Sequence, residues 1–336
     1  LAALERVLAR ANKWSALATC LRRQAEAVEE DAQAAEYRFR EGDLQETTLS
    51  DPAAAVAAYR EVLQLVPTHA QARASLERML ASAPAERGEI IEILEPLFEQ
   101  DNDAPRLATV LEAKLGVIHD HLDRAGVLGQ LVELYEQKLS NGAKALDAAL
   151  RWLSLDPASE QALAETERLA DRLGQWRETA ARVDSIVHAP DALERATDVQ
   201  VGLLVFLGSI LRERLGQNDD AITIYRAALQ LAPDSLEAID PLIAILRQKG
   251  DWHALADVLR QRGRIVQELP DKRATFAEVA ELAERAGDLP GAIDAWRQIT
   301  DEDDADRDAL DQLARLYRQT GDHGAQWLGV ADIMRA

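Results

Sequence analysis

A pattern repeats inside this chain, and it limits the fold more than any other feature of the sequence. A small residue is followed four positions later by an aromatic or small one, three further on by an apolar one, and five after that by a turn. It reads Ala55, Tyr59, Val62, Pro67; then Ala145, Ala149, Trp152, Pro157; then Ala221, Tyr225, Ala228, Pro233. The fourth copy is Ala292, Trp296, Ile299, Asp304, with an acidic turn in place of the proline. A second anchor lies between these copies. Asn12-Lys13-Trp14, Gly174-Gln175-Trp176 and Gly250-Asp251-Trp252 each open a segment, and Gly321-Asp322-His323 carries His at the same offset. Ala145 to Trp176, Ala221 to Trp252 and Ala292 to His323 are each 31 residues, while the return intervals are 41, 45 and 40. The unit that repeats is therefore a supra-repeat of four helices in two pairs.

Helices are required because apolar residues recur at spacings of three and four. Leu1, Leu4, Val7 and Leu8 show it, as do Leu203, Leu207, Ile210 and Leu211, and again Leu310, Leu313, Leu316 and Tyr317. That spacing lays one stripe along one helix face. Period-two alternation is absent, and Asn141-Gly142 reads as a helix–helix turn because helical patterns flank it. Asp51-Pro52, Ala83-Pro84, Ala189-Pro190 and Leu289-Pro290 each precede a periodic segment, where proline loses no hydrogen bond. Gly174, Gly216, Gly250, Gly287 and Gly321 close segments where a left-handed residue is wanted. The short loops between these signals predict about nineteen antiparallel helices, all-α, with no sheet.

The residue types of the repeat are packing residues. Alanine at a crossing lets a neighbouring backbone approach, and the ring one turn along fills the space between adjacent helix pairs. One pair cannot bury its apolar face alone, so pairs stack in chain order. A single array over residues 1–336 is expected, with first repeats in 1–81 and regular supra-repeats in 105–336. Between them the spacing breaks: Ala55 to the equivalent Pro105 is 50 residues, 19 more than elsewhere. Ser82-Ala83-Pro84 interrupts the chain there and Ile90–Phe98 supplies a new stripe. An inserted helix, acting as a joint with a local change of curvature, is expected at 82–104.

The string from Ala221 to Pro233 resembles the second helix of a tetratricopeptide repeat, and Ala55 to Pro67 matches it too. Leu207-Gly208 and Gly216 resemble the first-helix signature with one extra residue between them. Ala280, Gly287 and Leu289 keep the family spacing. The Trp-anchored pairs match more loosely, and related helical-hairpin solenoids share these features. The resemblance implies a right-handed α-α superhelix whose concave groove binds peptides or other proteins and carries no chemistry. By the family's layout the first helix of each pair faces that groove, which places Phe206, Ile210, Glu213 and Arg214 on one such helix and Glu281, Glu284 and Arg285 on another.

Chemical motifs give little. His119 and His121 are two apart, which points their rings about 200° from each other on a helix and suits no metal. Asp304, Asp306 and Asp308 alternate like the start of a calcium loop, but Ala309 stands where the glycine belongs and Arg315 where the closing glutamate belongs. Helix N-terminal acids explain that run. The single cysteine, Cys20, lies on a stripe with Leu17 and Leu21 and reads as core. It excludes a disulfide framework. No phosphate loop, serine elbow or zinc-protease motif occurs. No catalytic residue, cofactor or metal is expected.

The chain of 336 residues has 59 Asp+Glu against 38 Lys+Arg, a formal charge of −21, which repels nucleic-acid phosphate and anionic lipid. Scattered acids keep a long array dissolved, and they would also steer a basic segment of a partner. The longest apolar run, VGLLVFLGSIL at 201–211, is about half of the ~20 residues that a membrane span needs. The chain opens without methionine and in helical register, and residues Val330–Ala336 look cut short, so a piece of a longer polypeptide is expected. Its compartment is expected to be the cytoplasm. The expected function is a non-catalytic scaffold that binds a protein or peptide. The alternatives are a regulatory or substrate-recruiting arm of a larger multidomain enzyme, and a small-ligand sensor.

Overall fold

The computed structural model describes residues 2–320. The Gly321-Asp322-His323 anchor and the closing segment Val330–Ala336 lie outside the described residues. Among the described residues there are 18 α-helices and no strand. The chain divides into two compact units, Leu1–Gly174 and Gln175–Ala336.

The first unit holds α1 (Ala2–Arg10), α2 (Trp14–Glu26), α3 (Asp31–Leu44), α4 (Pro52–Leu65), α5 (Ala70–Ser82), α6 (Arg87–Gln100), α7 (Ala104–Leu115), α8 (His121–Glu133), α9 (Gly142–Leu155) and α10 (Glu160–Leu173). The second holds α11 (Trp176–Val187), α12 (Thr197–Ser209), α13 (Asn218–Leu231), α14 (Leu236–Lys249), α15 (Trp252–Ile265), α16 (Leu269–Ala286), α17 (Leu289–Glu302) and α18 (Arg307–Thr320). Within each unit every helix packs on the next in chain order. The repeat residues form the contacts. Ala55, Tyr59 and Val62 are fully buried, and so are Ala145, Ala149, Ala221, Ala228 and Ala292. Trp152, Tyr225, Trp296 and Ile299 are buried as well. A continuous core runs through α4–α7 in the first unit and another through α12–α18 in the second.

Eight residues have positive φ, and they fall into two sets of four. Ser50, Ser140, Gly216 and Gly287 each lie five positions before the anchor alanine of α4, α9, α13 and α17. Asn12, Asn102, Gly174 and Gly250 each lie two positions before the first residue of α2, α7, α11 and α15. The sequence reading found the glycines only. Asn and Ser accept the left-handed region less readily than Gly, but here the helix end demands it. The register also shows that Ala104, not Pro105, occupies the position of Trp14, Trp176 and Trp252. One helix, α6, is therefore supernumerary between Asn102 and the regular pattern.

The extra residue near Gly208 has a structural explanation. In α3, α8 and α12 the last turn passes into a π-helical turn, at Gln45–Leu49, Leu134–Lys138 and Ile210–Arg214. Gly42 to Ala55, Val132 to Ala145 and Gly208 to Ala221 are each 13 residues, whereas Ala280 to Ala292 is 12 and α16 has no π turn. The closing hydrogen bonds record the same count. Asp288 N–H donates to the carbonyl five residues back, at Ala283. Asp51, Asn141 and Gln217 donate six back, to Gln45, Tyr135 and Leu211. A π turn absorbs one residue without rotating the packed face upstream.

Gly42 and Gly208 sit where the helices touch. A Cβ at either would lie 2.7 Å from a ring carbon of Tyr59 or Tyr225. In the second copy the sizes are exchanged, with Val132 facing the position opposite Ala149, both buried. Two of the four expected proline starts hold: Pro52 and Pro290 lie in first turns, after Asp51 and Asp288, whose side chains cap the helices. Pro84 and Pro190 instead lie in turns that end α5 and α11, because the residue before proline is pushed out of helical geometry.

Candidate partner-binding surface

The seven residues assigned to a groove do not act as one group. Phe206 and Ile210 are only 8% and 2% exposed, so they belong to the core of the second unit and offer nothing to a partner. The helical stripe that made them conspicuous is the packing stripe itself. Glu213 and Arg214 are exposed on the π turn. Glu213 approaches Arg212 at 3.8 Å, and the Arg214 guanidinium lies 4.8 Å from the Trp176 ring centre. Glu281 and Arg285 are exposed and face each other at 3.9 Å. Glu284 is half-buried and accepts two bonds of 2.7 Å from Arg315 on α18. Among the described residues no hydrogen bond or ion pair joins the α12 set to the α16 set.

Ion pairs that cross from one first helix to the next are what the sequence reading missed. Glu46 accepts from Arg78 at 2.9 Å, and the Tyr59 hydroxyl donates to it at 2.9 Å. Glu136 accepts from Arg168 at 2.7 and 2.5 Å and also binds Arg172. Glu284 with Arg315 repeats the arrangement in the fourth copy, and Arg247 of α14 binds Glu278 of α16 at 2.8 Å. Arg78, Arg168 and Arg315 each lie 23 residues after their anchor alanine, a signal that self-comparison of the charged positions would have found. The third copy departs from it. Arg212 stands at the acidic position and Ala244 at the basic one, and Arg212 bonds the Tyr225 hydroxyl instead.

These groups perturb one another in the expected directions. The hydrogen bond from Arg168, helped by Arg172, holds the Glu136 carboxyl below its ordinary 4.5. Arg273 does the same to Asp306, whose Oδ1 also accepts the Ala309 N–H at 3.0 Å and caps α18. Burial, followed by the charge of Glu112, pushes the Tyr135 hydroxyl up to about 12. Each is a structural tie between helices, and none sits beside a nucleophile.

His119 and His121 are exposed at the start of α8. Cys20 is buried, with the Gln24 amide 3.6 Å from its sulfur. Among the described residues no group of three His, Cys, Asp or Glu side chains could hold a metal ion, and no helix is long and apolar enough to cross a membrane.

The tetratricopeptide repeat family model matches residues 203–239, which span α12, its π turn, α13 and the start of α14. Over 225 residues the chain is 30% identical to the cellulose synthase operon protein C of Pseudomonas fluorescens (strain SBW25), covering 65% of this chain and 17% of that protein. It is 32% identical over 125 residues to the cellulose synthase 2 operon protein C of Komagataeibacter xylinus, covering 37% of this chain and 10% of that one. The chain thus spans a small part of the length of both relatives. The crystal structure of the C-terminal part of a TPR repeat-containing protein from Cytophaga hutchinsonii superposes with a TM-score of 0.37 at 12% identity, covering 76% of this chain and 98% of that one. Residues 203–239 are a tetratricopeptide repeat, and the chain belongs to the tetratricopeptide-type family of helical-hairpin repeat proteins.

Proposed function

We propose that the chain is a non-catalytic scaffold that holds a partner protein against the exposed faces of its stacked hairpins. The observation that carries this reading is the use of the repeat residues. Every anchor position with a ring or an alanine is spent on helix–helix packing, and the charged first-helix positions tie helix to helix. The outward-facing acids remain for a partner. Both curated relatives are proteins C of cellulose synthase operons, and this chain matches only a part of each. We therefore place it as the recruiting arm of a longer polypeptide, its partner another protein of such an operon, in whichever compartment that partner occupies. The supernumerary α6 is, on this reading, the joint at which the first unit changes curvature.

The test is direct binding. The chain, immobilised, is presented with the separately purified soluble proteins and domains encoded beside it, and the same preparation is assayed for hydrolysis and transfer on cello-oligosaccharides. Saturable binding of one partner without turnover supports the proposal. Turnover of a small substrate without any partner bound refutes it.

A further inference from the structure

The groove face is not the only surface with unused chemistry. A cleft of about 250 Å³ opens between the first turns of α16 and the last turns of α17. Phe276 and Ile299, both buried, form its floor, and Leu269 and Pro270 form one wall. Leu269 is 53% exposed at the very start of its helix, an apolar side chain with nothing over it. The charged rim is already neutralised within the chain. Lys272 binds Glu302, and Arg273 binds Asp306 and, at 3.0 Å, Asp308. Beyond the rim the turn from α17 to α18 carries six acids and one base between Asp301 and Asp308. Asp301, Asp303 and Asp304 are exposed there, and among the described residues no cation lies within ion-pair distance of them.

Resting on the scaffold reading, we infer that this cleft takes one apolar side chain of a partner segment whose flanking residues are lysine or arginine. Its volume falls below the 300–1,000 Å³ of pockets that enclose whole small molecules, so it suits a side chain better than a metabolite. Its floor carries no charge, so the anchor is leucine, isoleucine or methionine. The free acids beside it set the sign of the flanks, because an acidic segment would meet Asp301, Asp303 and Asp304 with no counter-charge to spare. Charge complementarity of this kind speeds encounter and excludes partners of the wrong sign. The acidic run thus has a use that its helix-capping role at Asp306 leaves open for the other three residues.

Fluorescence anisotropy on the full chain tests this with three labelled peptides: a Gly/Ser-spaced peptide with one leucine between two pairs of lysines, its leucine-to-serine twin, and its lysine-to-glutamate twin. The leucine–lysine peptide should bind at least about tenfold more tightly than either twin, and binding should weaken as salt is raised. Leu269→Ser should weaken it several-fold, and so should the triple change Asp301→Asn, Asp303→Asn, Asp304→Asn. A triple change of equal charge far from the cleft, Glu29→Gln, Glu30→Gln, Asp31→Asn, should leave it unaltered. All these positions are exposed, so the variants fold. Equal weakening by both triple variants, or equal binding of the glutamate twin, would overturn the proposal. If an operon partner binds the chain and none of the cleft variants alters that binding, the cleft is refuted while the scaffold stands.

Discussion

Two glycine-to-alanine changes within α12 should move stability in opposite directions. Alanine is favoured over glycine in a helix interior by about 0.8–1.0 kcal/mol. At Gly202 a Cβ meets nothing within 4 Å, so Gly202→Ala should gain about that amount. At Gly208 the same Cβ would lie 2.7, 2.8 and 3.1 Å from three ring carbons of Tyr225. The ring cannot swing freely, because Tyr225 is 1% exposed and packed within the second unit's core. Overpacking of this kind costs about 1–3 kcal/mol, which outweighs the helix gain or cancels it. Gly208→Ala should therefore be less stable than Gly202→Ala by about 1–3 kcal/mol. The assay is urea unfolding followed by circular dichroism, with hydrogen exchange of the α12 and α13 amides to localise the effect. Adding Tyr225→Leu to Gly208→Ala should recover part of the loss, since residues in contact are non-additive. Equal shifts for the two alanine variants, or no coupling between positions 208 and 225, would refute the close approach on which the repeat's packing rests.

Ser140→Gly, at a φ of 51°, should raise stability by roughly 1 kcal/mol, because it relieves a left-handed side chain; thermal unfolding reports it. Installing the missing inter-helix pair with Arg212→Glu and Ala244→Arg together should stabilise the second unit by at most about 1 kcal/mol, with each single change neutral or worse, as a double-mutant cycle would show. Glu136 has a folded value depressed below its ordinary 4.5, first by its bond from Arg168. Its contribution is therefore complete above that ordinary value and is lost as pH falls through the depressed one. Acid unfolding of Glu136→Gln should accordingly be shallower than that of the parent below about pH 4.5.

Much of the fold could be read from the sequence because the packing residues repeat at fixed intervals. Tyr59, Tyr225 and Trp296 sit on the faces that their spacing requires, and Trp14, Trp176 and Trp252 begin helices as expected. Four helix ends were hidden because Asn12, Ser50, Asn102 and Ser140 occupy left-handed positions where glycine is the usual signal. The π turns were visible only as one surplus residue, since a bulge alters count and leaves the apolar pattern intact. The candidate surface was less legible. Phe206 and Ile210 lie on the same helix as Glu213 and Arg214, and helical spacing alone does not separate the buried stripe from the exposed one when the helix ends in a π turn. The Glu–Arg ties escaped notice because charged residues were weighed as net charge and not compared position by position.

The register of the repeats is the claim on which the rest depends, and backbone chemical shifts of the whole chain measure it. Asn12, Ser50, Asn102 and Ser140 should show left-handed values, and no other non-glycine residue between 2 and 320 should do so. Helical or extended values at any of these four would break the two-by-four pattern and contradict a four-helix unit repeated along the chain.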